Sequence, residues 1–272
     1  MTPPEAALYA AFGLAVGVYG TLVGAGGGFL VVPFLLLLRG FAPERAVGTS
    51  LVVVCLNALA GSLSYARQRR IDYASGVWFA AATLPGALLG AYGVHFLPGR
   101  VFDLVFGVLL VGVGVFLFAR PRPPAAAATG RAGPRGWLPV ARRHTDASGG
   151  VFEYGYDRAL GLGLSFAVGF LSSILGVGGG IVHVPALIYL LSFPVHVSTA
   201  TSHFILAITA AAGAAGHGLL GHVAWGPALA MGAGAAAGAP LGALLSRRAG
   251  GAGIVRGLSL ALFLVGLRLL FR

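Results

Sequence analysis

Ten apolar segments follow one another along this chain, at about 6–23, 29–38, 46–65, 73–96 and 101–118, then at about 159–175, 181–191, 198–217, 225–245 and 254–271. A helix needs about 20 apolar residues, at about 1.5 Å rise each, to cross a bilayer. Eight segments come near that length, while 29–38 and 181–191 fall short. The chain is therefore read as an all-α polytopic membrane protein, with about eight full transmembrane helices and two short glycine-led ones. Composition agrees. Of 272 residues, 57% are hydrophobic and 9% charged, with mean hydropathy +0.90, whereas soluble chains carry about 25% charged residues. A soluble enzyme is excluded on that ground. The 45 glycines sit within the apolar runs and show no Gly-X-Y period, as expected where membrane helices pack closely through small residues.

The formal net charge is +11, all 18 basic residues are arginine, and most lie in short connections beside apolar runs. That is the distribution of cytoplasmic loops under the positive-inside rule rather than of a nucleic-acid-binding face. Cys55 stands alone, so neither a disulfide framework nor a cysteine metal site is expected. The first ten residues lack the basic region of a secretory signal, so the first apolar stretch is expected to be retained.

An internal repeat organises the chain. Gly24-Ala25-Gly26-Gly27-Gly28-Phe29-Leu30-Val31-Val32-Pro33 matches Gly176-Val177-Gly178-Gly179-Gly180-Ile181-Val182-His183-Val184-Pro185 at an offset of 152 residues, and the match runs without a gap to Thr49-Ser50 and Thr201-Ser202. Eleven positions between Gly24 and Ser50 are identical to their counterparts, more than shared hydrophobicity supplies. Residues 1–118 and 159–272 are thus two transmembrane repeats. Between them, 119–158 is basic and rich in Pro, Gly and Ala, without a sustained apolar period, and reads as a cytoplasmic linker. Its Arg142-Arg143-His144 cluster reads as a topology signal or a lipid-headgroup contact.

Arginines occupy alternate loops in the two halves. Arg67, Arg69 and Arg70 follow the third segment of the first half, whereas Arg247 and Arg248 follow the fourth segment of the second. This predicts that the second repeat lies inverted. Inversion requires an odd number of crossings per half, so the short segments would cross, five and five. If they re-entered instead, each half would cross four times and the repeats would be parallel.

Three glycines before a short helix free backbone N–H groups at the positive end of its dipole, which together make an anion site. Matched glycine-interrupted short segments are the best sequence pointer to a transporter's midplane site. Gly26, Gly27, Gly28, Gly178, Gly179 and Gly180 are therefore candidate substrate-binding residues, with close helix packing as the competing explanation for any one of them. The hydroxyls of Thr49, Ser50, Thr201 and Ser202 could bond an oxyanion's oxygens, or back-bond to the preceding helical turn. His183 and His203 replace Val31 and Leu51 of the first repeat. They are candidates for holding an anion or carrying a coupling proton, or for neutral bonding to a carbonyl. Asn57 is a further lining candidate, or interhelical glue. His217 and His222 flank a predicted loop and read as interfacial. Of the seven acidic residues only Asp103 falls within a span, near its end, which disfavours a cation pathway. No cofactor or metal site is expected: the glycine runs lack the dinucleotide fingerprint and the phosphate-loop lysine, and no carboxylate or cysteine cluster suits zinc. No hydrolase motif marks an intramembrane enzyme.

Gly24 to Pro33 followed by Ala46-Val47-Gly48-Thr49-Ser50, with the second copy Gly176 to Pro185 followed by Ser198-Thr199-Ala200-Thr201-Ser202-His203, resembles the sulfite exporter TauE/SafE family of bacterial and archaeal membrane proteins. The likeness covers nearly the whole chain outside 119–158, and the second copy departs in having Ala200 where the first has Gly48. The resemblance implies transport of sulfite, sulfoacetate or another organosulfonate, in a protein of about eight spans. The resulting expectation is a multi-pass secondary transporter of the inner (cytoplasmic) membrane, exporting a small sulfur anion by alternating access. Its partners would be that anion, the lipid bilayer and a coupling proton, with no nucleic acid. Glycine-rich faces leave a homo-oligomer open. Competing readings are a metal-cation permease using the membrane histidines and a non-transporting membrane scaffold.

Overall fold

A computed structural model of the chain describes residues 1–119, 136–248 and 251–271. The first half contains α1 (Pro3–Val23), α2 (Gly28–Pro33, continued by a π-helical turn Phe34–Leu38), α3 (Pro43–Arg67), α4 (Tyr73–Gly93, followed by a 3-10 turn Val94–Phe96) and α5 (Gly99–Ala119). Strands β1 (Pro139–Thr145) and β2 (Val151–Asp157) pair antiparallel. The second half contains α6 (Arg158–Leu175), α7 (Gly180–Tyr189), α8 (Val195–Leu219), α9 (Trp225–Arg248) and α10 (Gly251–Leu270). Among the described residues, α1, α3, α4, α5, α6, α8 and α9 are each long and apolar enough to cross a membrane. The eighth full-length segment expected from sequence is α10, within which Ser259–Leu270 is the apolar stretch. The protein is an all-α polytopic membrane protein, its only described strands being the hairpin.

Local signals set the helix ends. Pro43 starts α3, where a missing N–H costs nothing. Asp72 caps α4 by accepting from Ser75 N, and Asp157 caps α6 by accepting from Ala159 N. α1 and α6 both stop at a glycine in the left-handed region, Gly24 (φ 76°) and Gly176 (φ 69°). From the short helices onward, each second-half helix starts 152 residues after its counterpart: Gly28 and Gly180, Pro43 and Val195, Tyr73 and Trp225, Gly99 and Gly251.

The short helices are return arms. Arg39 at the end of α2 reaches back to the start of α1, pairing with Glu5 at 3.0 Å and donating to Tyr9 Oη at 2.7 Å, while Phe12 and Phe34 stack at 4.0 Å. α1 and α2 thus form a helical hairpin whose tip is Gly24–Gly27, and α2 comes back to the face from which α1 set out. α6 and α7 do the same from the opposite face, with Ser165 beside His183. The sequence alternatives of crossing and re-entry meet here: each short helix runs from mid-depth to one face.

Contacts between the halves are reciprocal. α1 packs on α9 as α6 packs on α4: Gly17 lies against Ala235, and Gly169 against Thr83. The two most buried spans, α3 and α8, run antiparallel through the centre, with Gly48 beside His217 and Gly61 beside His203. α5 and α10 are also antiparallel, Gly107 meeting Leu270 and Gly114 meeting Ser259. Small residues carry these crossings, as expected where lipid offers apolar side chains no reason to leave it.

One element departs from the linker reading. Of 119–158, residues 120–135 lie outside the described residues, but 139–157 form the β-hairpin. Phe152, Tyr154 and Tyr156 alternate along β2, a period of two that marks a half-buried strand. Tyr154 and Tyr156 are buried against Phe193, with Phe79 behind Tyr156. The hairpin is pinned by Ala147 N donating to the Gln68 carbonyl (3.0 Å) and by His144 Nε2 on the Arg69 carbonyl (2.9 Å).

Candidate functional site

The two glycine loops meet at mid-depth, backbone against backbone. Gly28 lies on the Gly176 carbonyl and Val177, Gly180 lies on the Gly24 carbonyl and Ala25, and Gly26 and Gly178 both face Val54 of α3 and Leu206 of α8. A side chain at Gly28 or Gly180 would occupy the space of the opposite loop's main chain. Gly27 (φ 85°) and Gly179 (φ 75°) stand at the N-caps of α2 and α7, and neither helix start has a side-chain cap. The first N–H groups of a helix lack intrahelical partners, so each loop presents donors at the positive end of a dipole. In the first copy the Gly26 N–H is already committed, to the Gly20 carbonyl at 3.1 Å.

Side chains from the central helices take the loop carbonyls. Ser50 Oγ donates to the Gly176 carbonyl at 2.8 Å and Ser202 Oγ to the Gly24 carbonyl at 3.3 Å, so each half latches the loop of the other. Asn57 Nδ2 donates to the Gly26 carbonyl at 3.0 Å. These bonds satisfy the carbonyls of Gly24, Gly26 and Gly176.

A buried network continues from there. Thr21 Oγ1 donates to Asn57 Oδ1 at 3.0 Å and lies 3.2 Å from His203 Nε2; Tyr65 Oη donates to the Thr21 carbonyl at 2.6 Å. With its own hydrogen spent on Asn57, the Thr21 hydroxyl accepts from His203, which places the hydrogen on Nε2 and leaves Nδ1 as an acceptor. His203 Nδ1, Ser172 Oγ and Ser173 Oγ are buried without hydrogen-bond partners. Ser172 lies beside Gly179 and Ser173 beside Gly213.

The structure therefore brings together Gly26–Gly28, Gly178–Gly180, Ser50, Asn57, Ser202 and His203. It places the remaining sequence candidates elsewhere. Thr49 Oγ1 accepts from Ala224 N and Thr201 Oγ1 from Asp72 N, both at 3.0 Å, so these threonines clasp the loops before α9 and α4. His183, whose N–H donates to the Gly179 carbonyl, turns its ring between Ser165 Oγ (3.3 Å) and the Phe79 ring. Thr21, Tyr65, Ser172 and Ser173 were not singled out from sequence. The available signal was the offset itself, which pairs the hydroxyls of Thr21 and Ser173 and the hydrogen-bonding rings of Tyr65 and His217.

At the hairpin face Asp72 is buried and accepts from Ser75 N, Ser75 Oγ and Tyr154 Oη (2.8 Å), with Arg142 Nε at 3.8 Å. Burial, followed by the adjacent Asp72 charge, pushes the Tyr154 phenol well above its ordinary pKa, so it stays a donor. Among the described residues, no three His, Cys, Asp or Glu side chains come together in a way that could hold a metal.

Comparison with known proteins agrees with this architecture. The family model described as sulfite exporter TauE/SafE matches residues 9–269. A probable membrane transporter protein of Bacillus subtilis, YunE, is 34% identical over 268 residues, 95% of each chain. One from Xylella fastidiosa is 31% identical over 174 residues, 64% of this chain and 59% of its own. Another, MJ0441 of Methanocaldococcus jannaschii, is 26% identical over 207 residues, covering 74% of this chain and 68% of its own. No solved structure matches the chain. A family model matching residues 9–269, and a relative aligned over 95% of each chain, make this chain a member of the sulfite exporter TauE/SafE family of membrane transporters.

Proposed function

We propose that this chain carries a small anion across the cytoplasmic membrane, a sulfur oxyanion or organosulfonate with sulfite foremost, by alternating access between two inverted repeats. The observation that carries the reading is the meeting of the two glycine loops at mid-depth, each opening an uncapped helix start beside buried, unpartnered polar atoms. Dipole ends of about half a positive charge each suit a substrate of one or two negative charges without placing a full cation in the membrane. The N–H groups at Gly27–Gly28 and Gly178–Gly180 would hold the charge, and Ser172 and Ser173 would donate to its oxygens. Ser50, Ser202 and Asn57 would position the loops. A proton on His203 Nδ1 would turn that acceptor into a donor.

Inversion is supported by α3 running antiparallel to α8 and α5 to α10 at the shared offset. Because α1 and α2 together start and end on one face, α3, α4 and α5 leave each half with an odd net number of crossings. Arg67, Arg69, Arg70, Arg142, Arg143 and Arg158 cluster at the hairpin face, against Arg39, Arg45, Arg100 and Arg268 opposite, which by the positive-inside rule makes the hairpin face cytoplasmic. All the loop glycines are buried.

The test is labelled sulfite flux in proteoliposomes, with S172A/S173A beside wild type. We expect saturable flux, competed by sulfonates and lowered about tenfold or more in the variant, since hydrogen bonds to a charged group contribute about 1.5–3 kcal/mol each. Wild-type vesicles that carry no sulfur oxyanion in either direction would overturn the substrate. Undiminished flux in the variant would overturn the site.

A further inference from the structure

Where α3 ends, the chain makes a turn of a kind that glycine usually makes. Arg69 stands in the left-handed region (φ 51°), a conformation that residues with a Cβ rarely adopt. Arg69 N closes the turn on the Ala66 carbonyl at 2.9 Å. The tip of the β-hairpin holds it from outside, Ala147 N donating to the Gln68 carbonyl at 3.0 Å and His144 Nε2 lying 2.9 Å from the Arg69 carbonyl. Turn and tip enclose a cavity of about 350 Å³, lined among the described residues by Arg67, Gln68, Arg70, Asp146, Ala147 and Ser148. It lies at the hairpin face, apart from the glycine-loop cradle.

Two kinds of partner line this cavity. Arg67 and Arg70 are cations, and Asp146 is an anion that feels the Arg70 charge, so the described lining carries one net positive charge. Acceptors stand beside them. Gln68 Nε2 donates to the Ala243 carbonyl of α9 at 3.1 Å, while Gln68 Oε1 is buried without a hydrogen-bond partner. Ser148 Oγ spends its hydrogen on Asp146 Oδ1 at 2.6 Å, which leaves its lone pairs to accept. A simple inorganic anion would answer the arginines and leave Gln68 Oε1 unsatisfied. A metal ion or an amine would answer that oxygen and meet the guanidinium groups. A phosphodiester that carries hydroxyl groups answers both, with one negative charge for the arginines and O–H donors for the acceptors.

We infer that this cavity binds a phosphoglycerol group, its phosphate on Arg67 and Arg70 and its hydroxyls donating to Gln68 Oε1 and Ser148 Oγ. Basic pockets between membrane helices are a recurrent setting for anionic headgroups. The same group also occurs in soluble esters, so a lipid and a soluble ester are the two sources to separate. The position suits the lipid: Leu63, one turn before Arg67 on α3, and Leu244 and Leu245, which follow Ala243 on α9, are exposed apolar side chains. Once bound, the group would tie the end of α3 to the hairpin tip and, through Gln68, to α9. None of this depends on which substrate the chain carries.

The test uses the full chain in a neutral detergent, as wild type, Arg67→Gln and Gln68→Met. Each is titrated with phosphatidylglycerol, phosphatidylmethanol, phosphatidylethanolamine and the soluble ester glycerophosphoglycerol. Bound ligand is read by native mass spectrometry and by the rise in melting temperature. Wild type should hold one phosphatidylglycerol, and Arg67→Gln should weaken it about tenfold, the loss expected for a hydrogen bond between charged groups. Phosphatidylmethanol has the same charge and no hydroxyls, so it should bind wild type about fivefold more weakly, and Gln68→Met should narrow that preference. Arg67 is exposed, so its variant should melt like wild type when no ligand is added. Protection by glycerophosphoglycerol as strong as by the lipid would keep the site and assign it to a soluble ester; protection by the lipid alone would assign it to the bilayer. Equal binding of phosphatidylglycerol and phosphatidylmethanol would overturn the inference. So would a preference for phosphatidylethanolamine, unchanged binding by Arg67→Gln, or no binding at all.

Discussion

The two faces of the molecule are built on one plan and finished differently. Before α4, the loop 68–72 is hooked by Thr201 through the Asp72 N–H; before α9, the loop 220–224 is hooked by Thr49 through the Ala224 N–H, each at 3.0 Å. Beyond the hook the resemblance stops. The first face carries Asp72, a buried carboxylate engaged by Ser75 and Tyr154, and is covered by the hairpin. The second carries Ala224 in its place and pairs two histidines. The lesson is that the threonine hooks recur at the 152-residue offset, while the charged and ring side chains beyond them differ between the two faces.

Three measurements would break or sharpen this comparison. The largest effect is expected for Asp72→Ala, which strands the Tyr154 hydroxyl, the Ser75 N–H and the Arg142 guanidinium. It should destabilise the protein by about 3 kcal/mol, read as a lowered melting temperature in detergent with early proteolysis of the hairpin. An unchanged melting curve would mean that the hairpin is held by its aromatic residues alone. Next come Thr49→Val and Thr201→Val, each leaving one buried N–H unpaired at about 1–2 kcal/mol. Equal losses by thermal melting would mark the hooks as equivalent; a much larger loss at Thr201 would show that the hairpin depends on its hook.

The smallest effect concerns pH at the hairpin's root. Hydrogen bonds from Trp137 N above all, with help from Leu138 and Ala159, hold the Asp157 carboxyl below its ordinary pKa. Burial alone would raise Asp146, but bonds from Ser148 and Gly150 outweigh it and hold that carboxyl low as well. Groups depressed on folding stabilise fully above their unfolded value of about 3.9 and lose that contribution as pH falls through the folded one. Limited proteolysis of the hairpin should therefore accelerate on acidification below about pH 4, and D157N should show the faster cleavage at neutral pH. Cleavage at the same rate across that range would remove these carboxylates from the comparison.

Much of the frame was legible in the chain. Apolar runs of near-spanning length gave the helices, and Gly24–Pro33 matched to Gly176–Pro185 gave the two loops, because steric demand at a close backbone crossing leaves only glycine. Ser50 and Ser202 were visible for the same reason, each serving the other half's loop. Less legible was the division of labour among hydroxyls. Thr49 and Ser50 are neighbours in sequence, yet a 100° step around the helix sends one to the Ala224 N–H and the other to the Gly176 carbonyl. The hairpin was missed because its arginines and flanking prolines read as linker, although Phe152, Tyr154 and Tyr156 alternate as a strand does.

By itself the sequence determined a membrane-embedded, all-helical protein with a duplicated glycine motif, since hydrophobic length and backbone sterics are local properties. Only the tertiary structure decided that α1 and α2 return to one face, that the loops meet backbone to backbone, and that His217 finds His222 and the Ser173 carbonyl. Those outcomes depend on which helix faces touch, and in a bilayer that is settled by small-residue packing and by the pairing of buried polar groups, neither of which acts until the helices are side by side.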